Sequence, residues 1–280
     1  MSQQVITPEL CAWIAEQSRV GHAAESILAA MLGSGWDEAV ARQALARTLE
    51  PAAVPAVSSA ATPGLPEPDL SRFAPVIDAG DRRVKVVMAL RQPRVIVFGD
   101  LLSEAECDGI IGLASQRLAR SETVAAGTEG SEVNAARTSD GMFFERGESD
   151  LIRRVEARIA TLLRWPLDHG EGLQVLRYRP GAEYQPHYDY FDPAHVSTPA
   201  ILKRGGQRVG TLVIYLNTPV AGGSTIFPDI GLDVAPVKGN AVFFSYDRPH
   251  PATQTLHGGS PVLEGEKWVA TKWLRQGTFV

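Results

Sequence analysis

The 280-residue chain is short of cysteine, of charge and of long apolar runs, and each shortage excludes something. Its two cysteines, Cys11 and Cys107, cannot build a disulfide framework and have no zinc-finger spacing, which fits a reducing compartment. No uninterrupted apolar run reaches the ~20 residues that a membrane helix needs, so no membrane contact is expected. The opening stretch, MSQQVITPELCAWIAEQ, has no basic segment followed by an apolar one, and the cytoplasm is the expected compartment. A formal charge of -5 leaves no cationic excess for neutralising phosphates, so no nucleic-acid partner is expected. What remains is 44% hydrophobic and 21% charged, the make-up of a globular protein with one substantial domain and a small one.

Residues 1–50 read as three short helices. Thr7 before Pro8 suits a helix start, and Leu10, Ile14 and Val20 mark an apolar side. Ile27, Met31 and Leu32 do the same in AAESILAAMLGSG, with Gly33 and Gly35 as the stop. Asp37 caps a third segment carrying Val40, Leu45 and Leu49. The pattern loosely resembles a ubiquitin-associated-like module, which implies a protein partner for these helices. Residues 51–74 are rich in proline and alanine and read as a linker. From 75 to 280 the chain reads as one domain. RVIVF at 94–98 is a strand, Ser103 and Glu106 form a capping box for a helix to about Leu118, and 149–164 is an amphipathic helix. The strands QVLRY, VGTLVIYLN, STIFP, LDVAPV, NAVFFSY and KWVATKWL follow, separated by turn residues. Many strands at short intervals, with helices first, predict a mainly β protein with supporting helices, a sandwich or jelly roll braced from outside.

The candidate chemistry begins with YQPHYDYF. On a strand, His187 and Asp189 project from one face, so an imidazole and a carboxylate meet one metal from one side. His257, just before a Gly-Gly turn, is the candidate third ligand. Two histidines and one carboxylate on one face leave open positions, as in non-haem iron(II) oxygenases, though three such residues alone are weak support. Lys267 lies ten residues beyond His257, within an apolar strand that carries Trp268, Val269 and Trp273. Burying it is costly unless an anion meets it, and the opposite reading is an edge-strand lysine reaching solvent.

With ARTSDGMFF, LQVLRYRPGAEYQPHYDYF, GGQRVGTLVIYLN, GGSTIFP, PVKGNAVFF, LHGGSPVLEGEKW and ATKWLR in this order, the chain from about residue 94 resembles the prolyl 4-hydroxylase branch of the 2-oxoglutarate- and iron(II)-dependent dioxygenases. The resemblance implies a double-stranded β-helix (jelly roll) catalytic domain preceded by the small all-α three-helix domain. It implies His187, Asp189 and His257 as iron(II) ligands, and Lys267, Tyr178 and Thr225 as partners of the co-substrate 2-oxoglutarate. Arg208 and Tyr184 match positions beside the reacting peptide, and Arg137, Trp273 and Arg275 match positions of the substrate groove. Thr138 and Ser139 follow Arg137 in the same segment. Ascorbate is the implied reductant. The implied reaction is hydroxylation of prolyl residues in a proline-containing peptide or protein, with succinate and carbon dioxide as co-products.

Arg275 stands where plant-type members have a histidine, and the segment from Asp189 to Arg208 is longer than in compact members. The N-terminal helices replace the peptide-binding domain of animal collagen hydroxylases, so collagen is not implied as substrate. Three alternatives compete: the same chemistry on a free amino acid or another side chain, a non-catalytic binding scaffold, and a zinc hydrolase using the same three ligands. The hydrolase leaves Lys267, Tyr178 and Thr225 without a joint purpose.

Overall fold

The chain divides into two compact units, Met1–Thr62 and Pro63–Val280. The computed structural model describes residues 6, 7, 10, 13, 14, 17, 24–49, 64–120, 123, 124, 131, 132 and 138–280. In the first unit, helices α1 (Ala24–Gly33) and α2 (Glu38–Leu49) pack through Ile27, Met31, Ala41, Ala44 and Leu45, with Ile14 beside them. The Asp37 carboxylate accepts the backbone N–H groups of Ala39 at 2.9 Å and Val40 at 3.3 Å, which caps α2. Ile27 and Met31 lie one turn apart on the buried face, and that rotation leaves Leu32 exposed rather than in the core. Val20 and the side chain of Leu49 lie outside the described residues.

In the second unit the strands are β1 (Val76–Asp78), β2 (Arg83–Leu90), β3 (Arg94–Gly99), β4 (Ala119–Arg120), β5 (Thr123–Val124), β6 (Ser131–Glu132), β7 (Asp140–Phe144), β8 (Leu173–Tyr178) and β9 (Tyr184–His187). They continue as β10 (Arg208–Tyr215), β11 (Ala221–Gly222), β12 (Thr225–Phe227), β13 (Leu232–Val234), β14 (Ala241–Ser245), β15 (His257–Gly259), β16 (Val262–Glu264) and β17 (Lys267–Arg275). Helices α3 (Glu104–Ser115), α4 (Asp150–Leu163) and the short α5 (Thr198–Leu202) interrupt them. A nine-stranded antiparallel sheet runs β1-β2-β3-β14-β10-β17-β8-β7-β4, and a four-stranded sheet runs β13-β12-β15-β9. This is a mainly β jelly roll with supporting helices.

The central strands are apolar along their whole length because both of their faces are covered. On β10, Leu212 and Ile214 join Phe98, Phe243 and the inner sides of α3 and α4 in one core. The alternate residues Val213 and Tyr215 join Val97, Val242, Phe244, Val269 and, from the smaller sheet, Phe227 and Val234. The helices therefore buttress one face of the large sheet, and its other face shares a core with the smaller one.

Local sequence explains most boundaries. Ser103 and Glu106 form the reciprocal capping box of α3, but the helix ends at Ser115, because the chain turns at Gln116 towards β4. LDVAPV yields only the three residues of β13, since Pro236 has no N–H to continue a ladder. Residues 64–74, expected as linker, pack onto the sheet domain instead. Pro66 and Pro68 are buried, Glu67 N–H bonds the Leu163 carbonyl at 2.9 Å, and the Glu67 carboxylate pairs with Arg94.

Candidate active site

The two ladders that matter lie at one end of the shared core. In the smaller sheet, His257 of β15 stands directly opposite His187 of β9. In the larger, Lys267 of β17 stands directly opposite Tyr178 of β8. Strand β9 is the edge of its sheet, which is why it tolerates Pro186. His257, Gly258 and Gly259 form a strand, not the expected turn. A Cβ at Gly258 would lie 2.8 Å from the Tyr184 carbonyl oxygen, so only glycine lets the two strands approach closely enough to pair the histidines.

Asp189 does not share a strand with His187. β9 ends at His187, and Asp189 sits at the bend beyond it. Two bonds to β10 hold it there: Arg208 Nη1 donates to its carbonyl at 3.3 Å, and Thr211 Oγ1 donates to its Oδ2 at 2.7 Å. The carboxylate still reaches both imidazoles, with Oδ1 3.5 Å from His187 Nε2 and Oδ2 3.4 Å from His257 Nε2. One ligand atom from each of the three residues lies within 4.8 Å of the others. His187 Nδ1 faces the Gln185 carbonyl at 2.9 Å and His257 Nδ1 the Thr255 carbonyl at 3.0 Å. Those carbonyls keep the proton on Nδ1 and leave both Nε2 lone pairs turned towards Asp189, the arrangement of metal-binding histidines. Burial raises the Asp189 carboxyl, but the charges and bonds of the two imidazoles outweigh it and hold it well below the usual range. Burial pushes His187 below its ordinary value, with His257 adding to the effect, so the site favours a neutral His187 imidazole beside a charged carboxylate. This donor set fits iron(II).

A cleft of about 460 Å³ of unfilled space runs from these three residues to Lys267, lined also by Tyr178, Tyr184, Val213, Thr225 and Trp273. Lys267 is only 4% exposed, and no carboxylate among the described residues pairs with it. Its Nζ lies 5.6 Å from the Tyr178 ring centroid and 5.9 Å from that of Tyr215. Burial alone lowers its pKa to about 8. Gly223 keeps the lysine's path open, since a Cβ there would lie 3.1 Å from Lys267 Cδ and the backbone φ is +73°. A buried cation with no counter-ion among the described residues, beside a metal-binding triad, fits a small dianion such as 2-oxoglutarate. Thr225 Oγ1 accepts the Tyr215 hydroxyl at 2.8 Å, which leaves the threonine proton free to donate into the cleft.

The remaining expected residues divide. Tyr184 stacks on His187 with ring centroids 3.7 Å apart and lines the cleft. Trp273 forms another wall, and the Arg208 guanidinium lies 3.9 Å over its ring while paired with Glu171 at 2.7 Å. Arg275 is not brought into the cleft. It is 1% exposed and donates to Glu171 at 3.0 Å and to the carbonyls of Ile201 at 2.9 Å and Arg204 at 2.6 Å. It therefore anchors the segment after Asp189 instead of meeting substrate. Thr138 pairs with the backbone of Glu183, and Arg137 lies outside the described residues.

Sequence reasoning missed Thr211, Tyr215 and Glu171. The first two hide in the apolar run VGTLVIYLN, where their alternate spacing was the available signal. Glu171 had none, because both of its arginine partners are distant in sequence.

A family model described as the 2OG-Fe(II) oxygenase superfamily matches residues 173–275. Prolyl 4-hydroxylase 1 of Arabidopsis thaliana is 40% identical over 229 residues, covering 74% of this chain and 79% of that protein. Probable prolyl 4-hydroxylase 3 of the same plant is 38% identical over 209 residues, covering 67% and 71%. Among solved structures, a viral collagen prolyl hydroxylase from Paramecium Bursaria Chlorella virus-1, in a 2OG complex, is 30% identical, covers 65% of this chain and 94% of that one, and has a TM-score of 0.49. The chain belongs to the prolyl 4-hydroxylase family of the 2-oxoglutarate- and iron(II)-dependent oxygenases.

Proposed function

We propose that the protein hydroxylates prolyl residues of a peptide or protein, consuming 2-oxoglutarate and dioxygen and releasing succinate and carbon dioxide. One observation carries this reading: His187, Asp189 and His257 share a cleft with a buried lysine that has no carboxylate partner among the described residues. A zinc hydrolase would need the triad but gives that lysine no task.

Bound iron(II) and 2-oxoglutarate supply the oxidising power for attack on an unactivated carbon. The chain supplies placement. His187, Asp189 and His257 would hold the metal, and the Gln185 and Thr255 carbonyls fix both imidazole orientations. Lys267 would donate a charge-assisted bond to the far carboxylate of the co-substrate, with Thr225 and Tyr178 lining the same cleft. Val213 and Val269 line the cleft with apolar surface and keep water from its floor. Tyr184 and Trp273 present aromatic walls against which a pyrrolidine ring packs, as proline-rich peptides do in other aromatic-lined grooves. Arg208 lies over the Trp273 ring, paired with Glu171, and supports this wall without lining the cleft. Ascorbate is the proposed reductant, the cytoplasm the proposed compartment, and a protein the proposed partner of the N-terminal helices.

The test is a panel of proline-containing peptides, with free proline beside them, in the presence of iron(II) and 2-oxoglutarate. Succinate release matched by a one-oxygen mass gain on a prolyl residue supports the reading. A gain on free proline alone, or on another side chain, replaces the peptide substrate with that alternative.

A further inference from the structure

A second groove in the sheet domain, with about 1020 Å³ of unfilled space, shares no lining residue with the cleft. It lies between residues 67–73, the end of β2 and Arg164 at the end of α4. Its two carboxylates are already engaged. Arg94 Nε donates to Glu67 Oε2 at 3.0 Å, and Ser71 donates to Asp69 Oδ1 from its backbone at 3.0 Å and from its hydroxyl at 2.6 Å. Two of its cations keep free donors. Arg164 uses only Nε, on the Glu67 carbonyl at 3.0 Å, and Arg91 makes no hydrogen bond among the described residues. The Arg91 guanidinium lies 5.3 Å from the ring centroid of Phe73, which is 66% exposed. Phe73 has a φ of +47°, a conformation that a bulky residue seldom adopts, and strain held at an exposed ring points to a use at the surface. The groove also borders an open sheet edge. β1 pairs with β2 only over residues 83–85, and the Val86 N–H bonds the Pro75 carbonyl at 2.9 Å. Past a register shift at Val87, Met88, Ala89 and Leu90 pair with β3 on one side, and no strand among the described residues lies on the other. Val87 is 61% exposed, and Ala89 lines the groove. Such an edge presents unpaired backbone groups to an incoming strand.

We infer that the open edge of β2 and the adjoining groove together dock an extended, acidic segment of a protein partner. The segment adds as a strand beside residues 87–90, held by main-chain hydrogen bonds, and its alternate side chains enter the groove. There a carboxylate meets the free donors of Arg91 and Arg164, and an apolar side chain on the same face of the segment packs on Phe73. Charge selects this occupant. The whole chain carries a net charge of -5, yet the donors left free in the groove are cationic. A second copy of the chain would bring the same unpaired arginines into one interface. A nucleic acid would match the charge but leave the backbone edge and the exposed Val87 without partners. The docking site stands apart from the cleft and does not depend on what the cleft hydroxylates.

The experiment titrates the full chain into a fluorescein-labelled peptide of glutamate, valine, phenylalanine, valine, glutamate and valine in that order, and reads fluorescence anisotropy. In an extended conformation this probe carries its carboxylates and its ring on one face. The expected result is binding that Arg91→Glu and Arg164→Glu each weaken by roughly fivefold or more, since reversal removes an attraction and adds a repulsion. Exchanging the glutamates of the probe for lysine should abolish binding, and methylating its backbone nitrogens on the pairing edge should weaken it comparably to the arginine reversals. These two changes leave the protein untouched, so they read the site even if a variant folds poorly. Hydrogen exchange should slow at residues 87–90 when the probe is bound and stay unchanged in β9 beside the metal site. Failure of the probe to bind, or binding indifferent to both arginine reversals, overturns the docking site. Equal binding of the methylated probe overturns strand addition. Tighter binding of a single-stranded oligonucleotide of the same charge, lost in the same variants, overturns the protein partner in favour of a nucleic acid.

Discussion

Lys267 stands directly opposite Tyr178 in the ladder between β17 and β8, with its ammonium group buried over the tyrosine ring and no carboxylate among the described residues to neutralise it. An unpaired buried cation is destabilising by itself, so its persistence is explained by a ligand that brings the missing charge. Replacing it with alanine should raise the 2-oxoglutarate concentration needed for half-maximal turnover. A charge-assisted hydrogen bond contributes about 1.5–3 kcal/mol, which corresponds to a roughly 10- to 150-fold rise. Saturation curves for Lys267→Ala check this, with the turnover rate at saturating co-substrate falling less than the affinity.

The same lysine sets a pH dependence with opposite signs for binding and for stability. Its pKa in the folded protein is lowered from 10.5 to about 8. Above that pH the site must take up a proton to meet a carboxylate, so 2-oxoglutarate affinity should fall as pH rises, by at most about tenfold per unit from this group. Below it, this group adds no dependence. The unfolded chain keeps its proton up to the ordinary lysine value, so between the two pKa values it binds more protons, and the ligand-free protein gains stability from this group as pH rises. Titration calorimetry at pH 7 and pH 9, in two buffers of different ionisation heat, reads the proton uptake directly.

Thr211 holds the Asp189 carboxylate at 2.7 Å from inside the sheet, so it should govern metal affinity without touching the metal. Partners of metal-binding side chains typically contribute 10- to 100-fold in affinity, and Thr211→Val, which keeps the shape and removes the hydroxyl, should weaken iron(II) binding by about that factor. Competition with a chromophoric chelator measures it. An unchanged affinity would show that the Asp189 rotamer is held by its backbone alone.

Glu171 bridges Arg208 and Arg275, each within 3.0 Å. Neutralising it in Glu171→Gln leaves two largely buried guanidinium groups facing each other and should destabilise the domain by ~3–5 kcal/mol, the usual effect of breaking a buried pair from one side. Denaturant unfolding reads the loss. Arg275→Ala should free the carbonyls of Ile201 and Arg204 and lower stability in the same assay, with little effect on 2-oxoglutarate saturation, since Arg275 does not line the cleft.

Much of this architecture was legible from local pattern. The strand at RVIVF, the helix over 149–164 and the long run KWVATKWL follow from periodicity and bounding turns, and the structure places strands and a helix there within a residue or two. The strand Arg83–Leu90 carries little sequence signal although its side chains alternate in exposure, because RVKVVMAL mixes charge and short apolar residues without turn signals inside the run. His187 and Asp189 were paired through a strand that in fact ends between them, and they converge because Thr211 and Arg208 draw the bend back to β10. The displacement of Arg275 from the cleft could not be read at all. It depends on Glu171, Ile201 and Arg204 meeting at one point, a tertiary arrangement with no local signature.

On the proposed reading, one cleft binds iron(II) through His187, Asp189 and His257 and holds 2-oxoglutarate against it through Lys267. Its most direct test is anaerobic: iron(II) and then 2-oxoglutarate are added to metal-free protein while the visible spectrum is followed. The expected result is a weak metal-to-ligand charge-transfer band that requires both additions, disappears in His187→Ala, and needs more 2-oxoglutarate in Lys267→Ala. Absence of the band in wild-type protein that binds zinc tightly through the same three residues would contradict iron(II) and 2-oxoglutarate binding in this cleft.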